Sequence, residues 1–87
     1  MKLEILTPEK ILFSGEVESV TLPGTLGSFQ VLEDHAPIIS SLTEGRLEFL
    51  AEGHIHELDV MDGFMEMNNN VVTVCVDAIK NNDEKVH

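Results

Sequence analysis

The feature that most constrains this chain is its rhythm: short apolar segments broken by turn residues roughly every 8 to 12 residues, the pattern of an all-β sandwich or barrel. The breaks fall at Thr7-Pro8, Ser14-Gly15, Pro23-Gly24, Glu44-Gly45, Glu52-Gly53, Asp62-Gly63 and Asn68-Asn69-Asn70, residue types that accept tight or left-handed backbone. Between them the sequence predicts strands near Lys2 to Leu6, Ile11 to Leu22, Phe29 to Leu32, Ile38 to Leu42, Arg46 to Ala51, Ile55 to Val60, Gly63 to Met67 and Val71 to Val76. Two hairpins are expected. In the first, Leu47 and Phe49 share a face and the Ala51 to His54 turn leads into the return strand. In the second, the three Asn join Phe64–Met67 to Val72–Val74. No segment reads as a long amphipathic helix with a capped start. The expectation is one flattened all-β sandwich of about eight to ten short strands over residues 1–79, followed by a frayed polar tail over 80–87 and no helical C-terminal domain.

A chain of 87 residues has room for one hydrophobic core, and a deep substrate cleft would compete with that core for side chains. Its only aromatic residues are four Phe, so stacking platforms for bases or sugars are not expected. Sixteen acidic against five basic residues give a formal charge of −11, which repels phosphate backbones and anionic lipid heads. Nucleic acid is therefore excluded as a natural partner, and the acid excess serves either solubility or a basic partner. No apolar run approaches the ~20 residues that cross a bilayer, so direct membrane insertion is not expected. Met1-Lys2-Leu3-Glu4 has neither the apolar stretch of a signal peptide nor a transit-peptide composition. Cys75 is the lone cysteine, inside the apolar run Val71–Val76, and reads as a small buried hydrophobe without a cationic neighbour to make it reactive.

Three constellations could carry chemistry, and each falls short. His54 and His56 alternate along a strand and so share a face, but two imidazoles are not a complete metal site. His35 lies between Glu33-Asp34 and Ala36-Pro37 without a nucleophile to activate. Gly24 and Gly27 form a Gly-x-x-Gly loop lacking the lysine and helix of a phosphate cradle; such a loop suits a tight turn or close approach of a partner. No catalytic residue, metal or cofactor is expected, and the chain reads as a binding protein, not an enzyme.

Taken together, the segment Thr21-Leu22-Pro23-Gly24-Thr25-Leu26-Gly27-Ser28-Phe29-Gln30-Val31-Leu32-Glu33-Asp34-His35-Ala36-Pro37-Ile38-Ile39 resembles the centre of the epsilon subunit of F-type ATP synthases, with Gly-x-x-Gly, a short strand and His-Ala-Pro in that order. The likeness extends over about residues 2 to 79: Leu3 to Pro8 and Phe13–Val17 look like the family's first two strands, and Asp62–Met67 with Val71–Ala78 like its last hairpin. The resemblance implies a flattened β-sandwich of about ten strands. It further implies a non-catalytic rotor part at the foot of the central stalk, binding the gamma subunit and the c-ring and helping couple proton flow to ATP synthesis. Its place would be peripheral, on the cytoplasmic face of a bacterial inner membrane. By position, Gly27, Ser28 and Phe29 resemble the ring-facing loop, and Thr7, His35 and Ser40 resemble positions near gamma, although Phe29 could equally be core. Most family members continue beyond Ala78 into two helices that bind ATP in some species and can brake hydrolysis. Here the sequence stops within ten residues, so no ATP binding is expected. The alternatives left open are a small metal-binding β-sandwich using His54 and His56, and an interaction module with some other partner.

Overall fold

The computed structural model describes residues 1–79 and contains, among them, nine strands: β1 Lys2–Leu6, β2 Ile11–Glu16, β3 Ser19–Gly24, β4 Gly27–Leu32, β5 Ile38–Leu42, β6 Gly45–Ala51, β7 His54–Val60, β8 Gly63–Asn68 and β9 Val71–Val76. Turn chemistry sets the hairpins. Glu52 and Gly53 (φ 53° and 79°) reverse the chain between β6 and β7, and Asn69 and Asn70 (φ 53° and 61°) do so between β8 and β9. Both are two-residue turns with positive φ at each central position, the geometry whose twist matches that of paired strands.

The strands form one continuous sheet in the order β2-β1-β9-β8-β5-β3-β6-β7, with β4 on the free edge of β3. The β5–β3 link is the single pair Gly24↔Leu42, and there the sheet folds over on itself. On one side lies a layer of β2, β1, β9, β8 and β5, with β1 and β9 parallel; on the other lies a layer of β4, β3, β6 and β7. Leu3, Ile5, Met65, Met67, Val72 and Val74 of the first layer meet Val20, Leu22, Val31, Leu47 and Phe49 of the second in one buried cluster. The rings of Phe13 on β2 and Phe49 on β6 approach to 4.4 Å between centroids. Each such side chain contributes on the order of 1.5–3 kcal/mol through removal of apolar surface from water. Among the described residues no polar or charged side chain is buried in this core.

Three expectations need correction. The single strand foreseen from Ile11 to Leu22 is two, and the break falls not at Ser14-Gly15, which pair with Glu4 and Leu3 inside β2, but at Val17 and Glu18, where the chain changes layers. Val17 N–H donates to the Met1 carbonyl of the first layer (2.8 Å), and the next amide, that of Glu18, donates to the Leu50 carbonyl of the second (2.8 Å). Cys75 is not in the core: it is half-buried, on the outer face of β9, opposite Leu6 and Phe64. Finally, β4, β6 and β7 begin at Gly27, Gly45 and His54, one or two residues before the expected starts, because the first residue past each turn already pairs: Gly27 with Gly24, Gly45 with Val60 and His54 with Ala51. The tail expected over 80–87 lies outside the described residues.

Candidate protein-docking site

The sequence-predicted contact residues fall in three places. Gly27, Ser28 and Phe29 of β4 share one open cleft with Ser40 of β5, a volume of about 480 Å³ walled by the β3–β4 hairpin from Gly24 onward and by Ile38–Ser41. His35 lies just before β5, in the exposed β4–β5 loop. Thr7 is at the far end of β1, beside a separate depression with Leu6, Pro8, Phe64 and Cys75.

The cleft is built by close backbone approach. Gly24 pairs with Gly27 across the hairpin, and a Cβ on Gly24 would come within 2.8 Å of both the Gly27 carbonyl and the Phe29 ring. Glycine at 24 thus lets the hairpin close over Phe29, which is partly buried and packed against the core. Phe29 therefore serves as floor, and the exposed groups lie around it. The hairpin tip is tied to β5: Thr25 N–H donates to the Ser41 carbonyl at 3.2 Å, and the Thr25 and Ser41 hydroxyls are 3.3 Å apart. Ser40 Oγ is engaged with the Ser41 carbonyl at 3.0 Å.

Electrostatically the cleft stands apart from the rest of an acidic chain, since none of its lining residues is ionisable. The Thr25 and Ser41 hydroxyls pair with each other and that of Ser40 with backbone. Two large apolar side chains stand at its rim, Leu26 fully exposed at the hairpin tip and Ile39 74% exposed on β5. Sequence reasoning passed over both. A leucine at the centre of a Gly-x-x-Gly turn was the available signal, because turn tips are ordinarily polar.

His35 is held within its own loop. A carbonyl oxygen only accepts, so Nδ1 carries the hydrogen in its 2.7 Å contact with the Ala36 carbonyl, and Nε2 is left to accept from a partner when the ring is neutral. Thr7 spends its hydroxyl locally: Oγ1 accepts from the Glu9 and Lys10 amides at 3.4 and 3.3 Å, closing the β1–β2 turn. His54 and His56 are exposed on β7, with the His56 ring stacked on Phe49 at 4.9 Å. Among the described residues no group of three or more His, Cys, Asp or Glu is placed to hold a metal ion, so the metal-binding alternative finds no support.

An uncharged cleft with an apolar rim, carried on a two-layer β-sandwich, defines the class: a β-sandwich domain with a surface suited to docking another protein. Comparison with known proteins makes this specific. Residues 1–82 match the family model described as ATP synthase, Delta/Epsilon chain, beta-sandwich domain, and the chain belongs to that family, whose members are non-catalytic chains of the ATP synthase. It is 39% identical over 84 residues to the ATP synthase epsilon chain of Citrifermentans bemidjiense, covering 97% of this chain and 61% of that one. It is 41% identical over 83 residues to the epsilon chain of Pelotomaculum thermopropionicum, covering 95% and 62%. The chain thus spans about three-fifths of the length of these relatives. Among solved structures, the fold is similar to a chain of the Euglena gracilis mitochondrial ATP synthase assembly of OSCP, F1 and c-ring, with a TM-score of 0.85 at 23% identity over 95% of this chain and 56% of that one. It is also similar to a chain of the Tetrahymena thermophila mitochondrial ATP synthase central stalk and c-ring, with a TM-score of 0.78 at 13% identity over 92% and 65%.

Proposed function

We propose that this chain is a rotor subunit of a proton-translocating F-type ATP synthase, binding gamma and the c-ring at the foot of the central stalk and helping couple proton flow to ATP synthesis. In this reading it sits peripherally, on the cytoplasmic face of a bacterial inner membrane. The β3–β4 hairpin with Gly27, Ser28 and Phe29 faces the ring, and His35 of the β4–β5 loop, Ser40 of β5 and Thr7 face gamma. The observation that carries the reading is the uncharged cleft with Leu26 and Ile39 at its rim, on a chain of net charge −11. A surface that excludes charge while the rest is acidic suits a packed protein interface, whose centre is depleted of charged residues. A two-layer core also suits the task, because close-packed interiors deform little and transmit strain.

Co-expression with gamma followed by size exclusion at high ionic strength tests this. The pair is expected to co-elute, since a packed interface outlasts the screening of surface charge. Separation at high salt with both proteins still folded would count against it.

A further inference from the structure

We infer that Asp34 and Asn70 are positioning residues whose reciprocal hydrogen bonds hold the His35 loop in its binding geometry before gamma arrives, an inference that rests on the gamma assignment above. The two residues are 36 positions apart. Asp34 N–H donates to Asn70 Oδ1 at 2.7 Å, and Asn70 Nδ2 donates back to Asp34 Oδ1 at 2.9 Å. The pair determines its own orientation: the backbone amide only donates, so the Asn70 oxygen must face it, and this turns Nδ2 onto the carboxylate. That second bond is charge-assisted, the stronger kind. Both residues are left-handed, Asp34 at φ 66° and Asn70 at φ 61°, a conformation that Asn and Asp accept more readily than other residues with a Cβ.

The loop that the clamp holds gains little from packing. Residues 33–37 are all exposed and bury nothing in the core. Two further hydrogen bonds, His35 N–H to the Leu32 carbonyl at 3.1 Å and His35 Nδ1 to the Ala36 carbonyl at 2.7 Å, stay within this part of the chain. Among the described residues, the hydrogen bonds that join this loop to a distant element are the two to Asn70. Asn70 itself is anchored: it lies in the tight β8–β9 turn, and its carbonyl accepts from Lys2 N–H at 2.9 Å. The clamp therefore transfers the order of the central hairpin to a loop that would otherwise be free. A loop ordered in advance spares the partner the entropy of ordering it, so its loss falls on affinity more than on folding.

Two variants of the full chain separate these effects. Asn70→Gly keeps the backbone free to hold positive φ and deletes only the amide. The double exchange Asp34→Asn with Asn70→Asp rebuilds the pair with the roles reversed: the side-chain amide brought to position 34 donates to the carboxylate brought to position 70, which still accepts from the backbone N–H at position 34. Hydrogen exchange at the Asp34 and His35 amides of the isolated chain should rise about tenfold or more in Asn70→Gly, and exchange at the same two positions should return toward the parent in the exchange variant. Affinity for purified gamma should fall about tenfold in Asn70→Gly and recover to within about twofold in the exchange variant. If Asn70→Gly does not fold, Asp34→Gly removes the bond to the carboxylate alone, the backbone N–H at position 34 still reaching Asn70 Oδ1; a rise in exchange of about threefold or more at position 35 and a matching loss of gamma affinity are then expected, and no change in either overturns the clamp. Unchanged exchange at both amides overturns the clamp, and weakened exchange protection with unchanged gamma affinity overturns its role in binding. Failure of the parent chain to bind gamma is a different result: it overturns the proposed function, while the exchange data still judge the clamp.

Discussion

The two tight hairpins, β6–β7 and β8–β9, share a turn geometry and differ in almost everything else. Both reverse through two residues of positive φ, and both pair in unbroken antiparallel register. The second sits in mid-sheet, with β1 beside β9 and β5 beside β8, and Met65, Met67, Val72, Val74 and Val76 on its inner face are buried. The first ends the sheet. Its strand β7 ends the strand order, its outer edge bridged among the described residues at Val60 by Ile79, and the run His54–Glu57 is exposed throughout. Local chemistry therefore decides that a hairpin forms, while its position in the sheet decides how much of it is buried: both strands of β8–β9 line the core, whereas in β6–β7 the core residues are Leu47 and Phe49 of β6 and Val60 at the end of β7.

The comparison breaks most directly at Met65. Its truncation to Ala should cost about 2–5 kcal/mol in chemical denaturation, because a fully buried side chain leaves a cavity; a loss below about 1 kcal/mol would mean the central hairpin is not where the stability lies. Gly63→Ala should cost about 1–3 kcal/mol, since the added Cβ would overlap the Cys75 carbonyl and the Val76 backbone across the ladder. On the edge hairpin the sign reverses. Glu52 occupies a left-handed position at φ 53°, and Glu52→Asn should stabilise by a few tenths to about 1 kcal/mol, read as a rise in thermal midpoint. The smallest effects belong to exposed or outward groups: His56→Ala and Cys75→Ser should each change stability by less than about 1 kcal/mol, and a chelator should leave the midpoint where it was. A drop of several degrees with chelator would revive the metal reading of His54 and His56.

Much of the candidate site was legible as residues and little of it as a site. Gly27, Ser28, Phe29 and Ser40 could be named from the sequence, yet their convergence on one cleft depends on the pair Gly24↔Leu42, a contact between strands with a long excursion between them. Leu26 and Ile39 were missed because an exposed apolar side chain leaves no periodic trace in a short strand or a turn. The Asp34–Asn70 clamp could not be foreseen either, since neither residue carries any local sign of the other.

By itself the sequence determined that the chain forms strands and where most of its turns fall, because glycine and asparagine impose their backbone preferences within two or three residues; Ser14-Gly15 and Pro23-Gly24, read as breaks, pair inside β2 and β3 instead. It also determined that Leu47 and Phe49 point inward together, since alternation reveals a face wherever polar and apolar residues take turns. Only the tertiary structure decided the rest. In Val71–Val76 the alternation rests on Thr73 alone, too thin a signal to outweigh the apolar run around Cys75, and packing against the second layer chose Val72, Val74 and Val76 for the core. The parallel pairing of β1 with β9 and the change of layer at Val17 and Glu18 were decided in the same way. Both are hydrogen-bonding choices between segments distant in sequence, and the free energy that selects them is the burial of a whole face at once.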